Sequence, residues 1–137
     1  MGIVALYGAG NHGKTETLNS LIDSILASGG TARSIRNSDF SANDRLACLD
    51  YKGKTVCIAT GGDDSRFINE AWTFKLPYNP DVEFYATRTK ETSSSVSALM
   101  SLSGGMSIEW WKPFWVRNIA FAPNANTALA EILKLTI

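Results

Sequence analysis

The chain has 137 residues, 45% of them hydrophobic and 19% charged. That composition fits a single globular domain, residues 1–137, with a core of its own, and it excludes disordered, collagenous and disulfide-dense classes. Thirteen Lys and Arg residues balance thirteen Asp and Glu, so no overall positive field points to nucleic acid or to an anionic membrane as partner.

The opening MGIVALYGAG has no cationic leader and reaches glycine after a few apolar residues, too few for a signal peptide or a spanning helix; the expected compartment is the cytoplasm. Ile3 to Tyr7 reads as a strand buried on both faces, because its apolar run is nearly unbroken. From Lys14 onward, Leu18, Leu21, Ile22, Ile25 and Leu26 recur at helical spacing, and Gly29 and Gly30 end that helix.

A short strand is expected around Ala32 to Ile35, followed by a polar loop, RNSDFSANDR. Leu46–Tyr51 and Lys54–Thr60 flank Lys52-Gly53 as a two-residue hairpin, which sets Tyr51 opposite Lys54 and Cys48 opposite Cys57. The two cysteines are too few for a secreted-type disulfide framework and read as reduced, packed thiols. Ser65 to Phe74 is predicted helical with Asp64 or Ser65 as its cap, and Val82 to Thr87 is a further strand.

ETSSSVSALMSLSGG suits either a helix over its apolar second half or a loop. Trp115 to Phe121 is a strand candidate, and Thr127 to Leu135 a C-terminal helix. Alternating strands and helices imply an α/β fold, a mainly parallel sheet with helices on both faces and one β-hairpin. In EWWKPFW, Trp110, Trp111, Phe114 and Trp115 suit core and edge packing, or a surface for a base or a second copy of the chain.

The stretch GAGNHGKT, Gly8 to Thr15, matches GxxxxGK[ST] between a predicted strand and a predicted helix. On these residues the chain resembles the P-loop NTPase superfamily, in particular small single-domain members such as nucleotide and metabolite kinases and small GTPases. The resemblance implies the three-layer fold of that superfamily, with ATP or GTP and Mg²⁺ as cofactors and ATP favoured. Gly8, Ala9, Gly10, Asn11, His12, Gly13, Lys14 and Thr15 would hold the phosphates: glycines permit close approach, and backbone N–H groups with the helix N-terminus attract the anion. Lys14 would reach the β- and γ-phosphates and Thr15 would hold Mg²⁺. His12, the one histidine, occupies a variable loop position and reads as solvent-facing. The alternative for the whole stretch is a glycine turn with a solvated lysine.

The family also places an acid at a strand end beside the loop, yet positions 59 and 60 are Ala59 and Thr60. In TGGDD, Asp63 is assigned to the metal and Asp64 to the helix cap. This hairpin and glycine turn partly resemble a GTPase switch, but Thr92 stands where the guanine-reading aspartate belongs, so GTP is not assigned. By resemblance to small kinases, Asp39 or Asp44 would accept a proton, and Arg45 or Arg88 would offset charge on the transferring phosphoryl group; each is otherwise a solvated loop charge. APNANT, Ala122 to Thr127, lies where related folds rest the adenine.

The expected function is therefore Mg²⁺-dependent nucleoside triphosphate binding with phosphoryl transfer, by a slow NTPase or a small kinase with a small-molecule acceptor. The alternative is a nucleotide-dependent switch or assembly protein with little turnover, self-associating near Trp110 to Trp115.

Overall fold

The structure is a computed structural model, and the residues it describes are 2–8, 13–88, 94–104, 106–113 and 122–137. In chain order they form β1 (Gly2–Tyr7), α1 (Lys14–Ala27), β2 (Thr31–Asn37), β3 (Arg45–Tyr51), β4 (Lys54–Ala59), α2 (Ser65–Lys75), β5 (Val82–Thr87), α3 (Ser94–Ser103), β6 (Ile108–Trp111) and α4 (Ala122–Leu135). The chain has an α/β fold: one six-stranded mixed sheet in the order β2-β3-β4-β5-β1-β6. β1 pairs in parallel with β5 and β6, and β4 with β5. β3 is antiparallel to both of its neighbours.

Strand alternation sorts the core into two layers. Val4, Leu6, Val56, Ile58 and Phe84 face α1 and α4, whose Leu18, Leu21, Ile22, Ile25, Leu129 and Leu133 close that side. Ile3, Ala5, Leu46, Ala59 and Tyr85 face the other way, against Ile68 and Ala71 of α2 and Leu99 of α3. This is why β1 is apolar throughout: both faces of the strand are covered. On α1 the predicted stripe is the buried one, and each fully buried Leu or Ile contributes about 1.5–3 kcal/mol relative to exposure.

The hairpin has the register counted from its turn, with Tyr51 opposite Lys54 and Cys48 opposite Cys57. Both cysteines are buried and free. Burial above all raises both thiols; neighbouring Cys48 and Glu83 push Cys57 further. On the same face lies a buried ion pair, Lys75 Nζ to Glu83 Oε1 at 3.1 Å. The Tyr85 hydroxyl donates to the same carboxylate, and the Lys75 ammonium sits 3.6 Å from the centre of the Trp72 ring.

One open reading is decided, and two elements differ from the sequence expectation. The ambiguous serine-rich stretch is helical over α3, which buries Val96 and Leu99. β6 falls inside the aromatic run, where four residues are too few to display a period; Trp110 meets Tyr7 edge-on at 6.2 Å. α4 begins at Ala122 rather than Thr127, since proline is tolerated in a first helical turn and the Thr127 hydroxyl bonds back to the Pro123 carbonyl at 2.9 Å. The expected strand at Trp115 to Phe121 lies outside the described residues. Among the described residues no helix is long and apolar enough to cross a membrane.

Candidate functional site

Parallel strands β1, β4 and β5 end on one edge of the sheet, where open α/β sheets bind their ligands. Because β3 runs the other way, its first residues come to this edge beside the end of β4: Leu46 is opposite Ala59, and the Thr60 N–H donates to the Arg45 carbonyl at 3.0 Å. The edge therefore gathers the ends of five strands, β1, β2, β4, β5 and β6, and the start of one, β3.

β1 runs out at Gly8, whose N–H donates to the Arg88 carbonyl at 2.9 Å and so extends the β1–β5 pairing by one step. Gly13 precedes α1 with φ +78°, the left-handed region in which a side chain is strained. It is also tightly covered, since a Cβ there would stand 2.4 Å from Oδ1 of Asn126. Lys14 is buried, and its ammonium donates to the Gly8 carbonyl, drawing the two ends of the glycine stretch together. The Thr15 hydroxyl lies 3.0 Å from the Thr60 carbonyl and 3.3 Å from Oδ1 of Asp44.

Electrostatics at this edge are dominated by desolvation. Burial lowers the Lys14 ammonium to about 8; Arg88 adds to that effect, while Asp63 and Glu16 oppose it. Burial likewise raises the Asp44 carboxyl, assisted by the charges of Asp63 and Glu16 and opposed by hydrogen bonds from Ser41 and Thr15.

Gly8, Gly13, Lys14, Thr15, Asp63 and Arg88 thus come together, with Asp63 and Arg88 exposed and close enough for their charges to act on Lys14. Asp64 caps α2 as expected, accepting from the Arg66 N–H at 2.9 Å. Two candidates point elsewhere. The Arg45 guanidinium turns back along α1, bonding Asn19 Oδ1 at 2.8 Å and Asp23 Oδ1 at 3.2 Å. Asp39 lines a separate groove of about 550 Å³ beside α2, its N–H donating to Glu70. Ala9, Gly10, Asn11, His12 and Thr92 lie outside the described residues, as do Phe114 and Trp115; Trp110 and Trp111 are half-buried on the edge strand.

Two contributors stand in positions other than those that sequence reasoning gave them. Asn126, from the α4 turn expected to be loop, covers Gly13 and lies 3.5 Å from the Thr17 hydroxyl; nothing local signals a partner 109 residues away. Asp44 is expected only as a proton acceptor, yet the count that pairs Cys48 with Cys57 continues outward to set Asp44 level with Gly61. The two glycines after β4 serve close packing: a Cβ on Gly61 would be 2.7 Å from Asp44 Cγ, and one on Gly62 would be 1.7 Å from the Ala86 carbonyl oxygen.

The donors here are an amine, a hydroxyl and carboxylates, hard groups suited to phosphate and Mg²⁺ rather than to a soft metal. Among the described residues no three His, Cys, Asp or Glu side chains converge as a metal cage of their own. Compared with known protein families, curated proteins and solved structures, the chain matches none.

Proposed function

We propose that Gly8 to Thr15 binds the phosphates of a nucleoside triphosphate accompanied by Mg²⁺, and that the chain transfers a phosphoryl group as a slow NTPase or small kinase, with ATP favoured. The observation that carries this reading is the joint position of Lys14 and Thr15. A buried ammonium and a first-turn hydroxyl flank the start of α1, at the sheet edge where β1 ends. That is the chemistry a triphosphate needs: a point charge for its outer oxygens, a helix start for its anion and a hard oxygen for its cation.

In this reading Lys14 exchanges the Gly8 carbonyl for phosphate oxygens and holds the terminal phosphates in line for attack. Arg88, exposed at the end of β5, offsets charge that develops on the transferring group. Mg²⁺, when bound with the nucleotide, neutralises phosphate charge. Asn126 keeps Gly13 pressed into its left-handed turn.

A second reading, a nucleotide-dependent switch or assembly protein, is favoured by one observation. β4 ends in Ala59-Thr60, without a strand-end acid, and the Arg45 guanidinium is committed to α1. Phosphate release separates the two. Turnover that depends on Mg²⁺ and is lost in Lys14→Ala, with circular dichroism unchanged, supports the enzyme. Tight binding without release, accompanied by a change in sedimentation, supports the switch. Release that persists in Lys14→Ala refutes the assignment.

A further inference from the structure

We propose that the carboxylate facing the nucleotide's Mg²⁺ is Asp44, supplied from the start of an antiparallel strand, and not Asp63 from beyond the end of β4. The inference rests on the nucleotide-binding reading and deepens it by naming the residue that takes the place of the absent strand-end acid.

Three observations carry it. Asp44 is the carboxylate in contact with the Thr15 hydroxyl, Oγ1 to Oδ1 at 3.3 Å, whereas Asp63 is exposed. Mg²⁺ bound with a nucleotide takes one or two protein oxygens of this kind and completes its shell with phosphate and water. Next, Asp44 is 8% exposed, and among the described residues no Lys or Arg pairs with it. Buried carboxylates are normally paired with a cation or bound to a metal, whereas the side-chain partners of Asp44 are the Ser41 and Thr15 hydroxyls.

The backbone is also built around this side chain. The Asp44 carbonyl accepts from Ser38 N–H at 2.8 Å, and its N–H reaches Ser41 at 3.3 Å, which fixes the residue at both ends. Gly61 leaves the space the carboxylate occupies, because any Cβ there would overlap Asp44 Cγ at 2.7 Å. Reversal of β3 achieves what a strand-end acid on β4 would achieve, by bringing a carboxylate to the same edge from the neighbouring strand.

The test measures nucleotide affinity, with a fluorescent ATP analogue, across a Mg²⁺ titration for wild type, Asp44→Asn and Asp63→Asn. Wild type should bind more tightly with Mg²⁺. Asp44→Asn should still bind without Mg²⁺ but lose at least roughly tenfold of the enhancement, and Asp63→Asn should keep most of it. An undiminished enhancement in Asp44→Asn, or its loss in Asp63→Asn, overturns the assignment while leaving nucleotide binding intact. No binding by wild type under any condition overturns the underlying reading as well. Should Asp44→Asn not fold, ¹³C-labelled wild type decides: adding Mg²⁺ to the nucleotide complex should shift the Asp44 carboxyl resonance more than that of Asp63, and the reverse order refutes the proposal.

Discussion

Lys75→Met isolates the buried ion pair on the α2 face. The substitution keeps a flexible apolar stem against Trp72 and removes the ammonium 3.1 Å from Glu83, a residue only 1% exposed. What remains is a carboxylate out of water that still accepts from the Tyr85 hydroxyl. Removing one member of such a pair costs about 3–5 kcal/mol, chiefly as the penalty of the charge left behind. For 137 residues, an unfolding entropy of roughly 2.1 cal/mol/K per residue makes each kcal/mol worth about 3.5 °C. The expected loss in Tm is therefore about 10–17 °C. Urea unfolding at pH 7.5, followed by tryptophan fluorescence, measures the same quantity without heating. The double variant Lys75→Met/Glu83→Gln should recover most of it, because the amide oxygen still accepts from Tyr85 and no charge is stranded. A cost under about 1 kcal/mol for the single variant, or none recovered in the double, would refute the reasoning that the pair is what makes a buried carboxylate tolerable here.

Glu70 gives a pH signature. Burial pushes its carboxyl up, but hydrogen bonds from the Asp39 N–H, the Ser38 hydroxyl and Arg36 outweigh it and hold the group below its ordinary 4.5. Its stabilising contribution is thus complete above that value and is lost as pH falls through the lower folded value; Glu70→Gln should flatten the urea midpoint between pH 5 and 3, and an unchanged slope contradicts this. Both thiols are buried and raised, so a thiol reagent at pH 8 should react slowly with native protein and find both cysteines on unfolding; rapid native reaction would count against the packed hairpin. Gly62→Ala places a methyl 1.7 Å from the Ala86 oxygen, so the ends of β4 and β5 must separate. It should destabilise by about 1–3 kcal/mol or more, and a neutral result would contradict that close approach.

The legible parts of the molecule were those written in local pattern. Ile3 to Leu6 announced a covered strand, Leu18 to Ile25 a helix face, and Lys52-Gly53 a turn whose register ran true to Cys48 and Cys57. Lys14 and Thr15 stood out as phosphate-site candidates for the same reason, since eight consecutive residues match one pattern. Long-range geometry was not. Asn126 meets Gly13 only because α4 packs on α1, and Asp44 meets Thr15 only because β3 is reversed. Arg45 shows the converse: one residue from Asp44 and equally charged in sequence, its side chain alternates away and binds α1. The β6 edge strand stayed hidden because four aromatic-rich residues serve packing and pairing alike.

The most direct test of the account is a thermal-shift titration of wild type and Lys14→Ala with ATP and with GTP, each with and without Mg²⁺. Nucleotide at about 100 times its Kd should add roughly 2.7 kcal/mol, or about 9 °C at this chain length. The account predicts a Mg²⁺-dependent rise in wild type, larger with ATP, that is lost in Lys14→Ala. No rise with either nucleotide, or an equal rise in the variant, would contradict it and leave Gly8 to Thr15 as a structural turn.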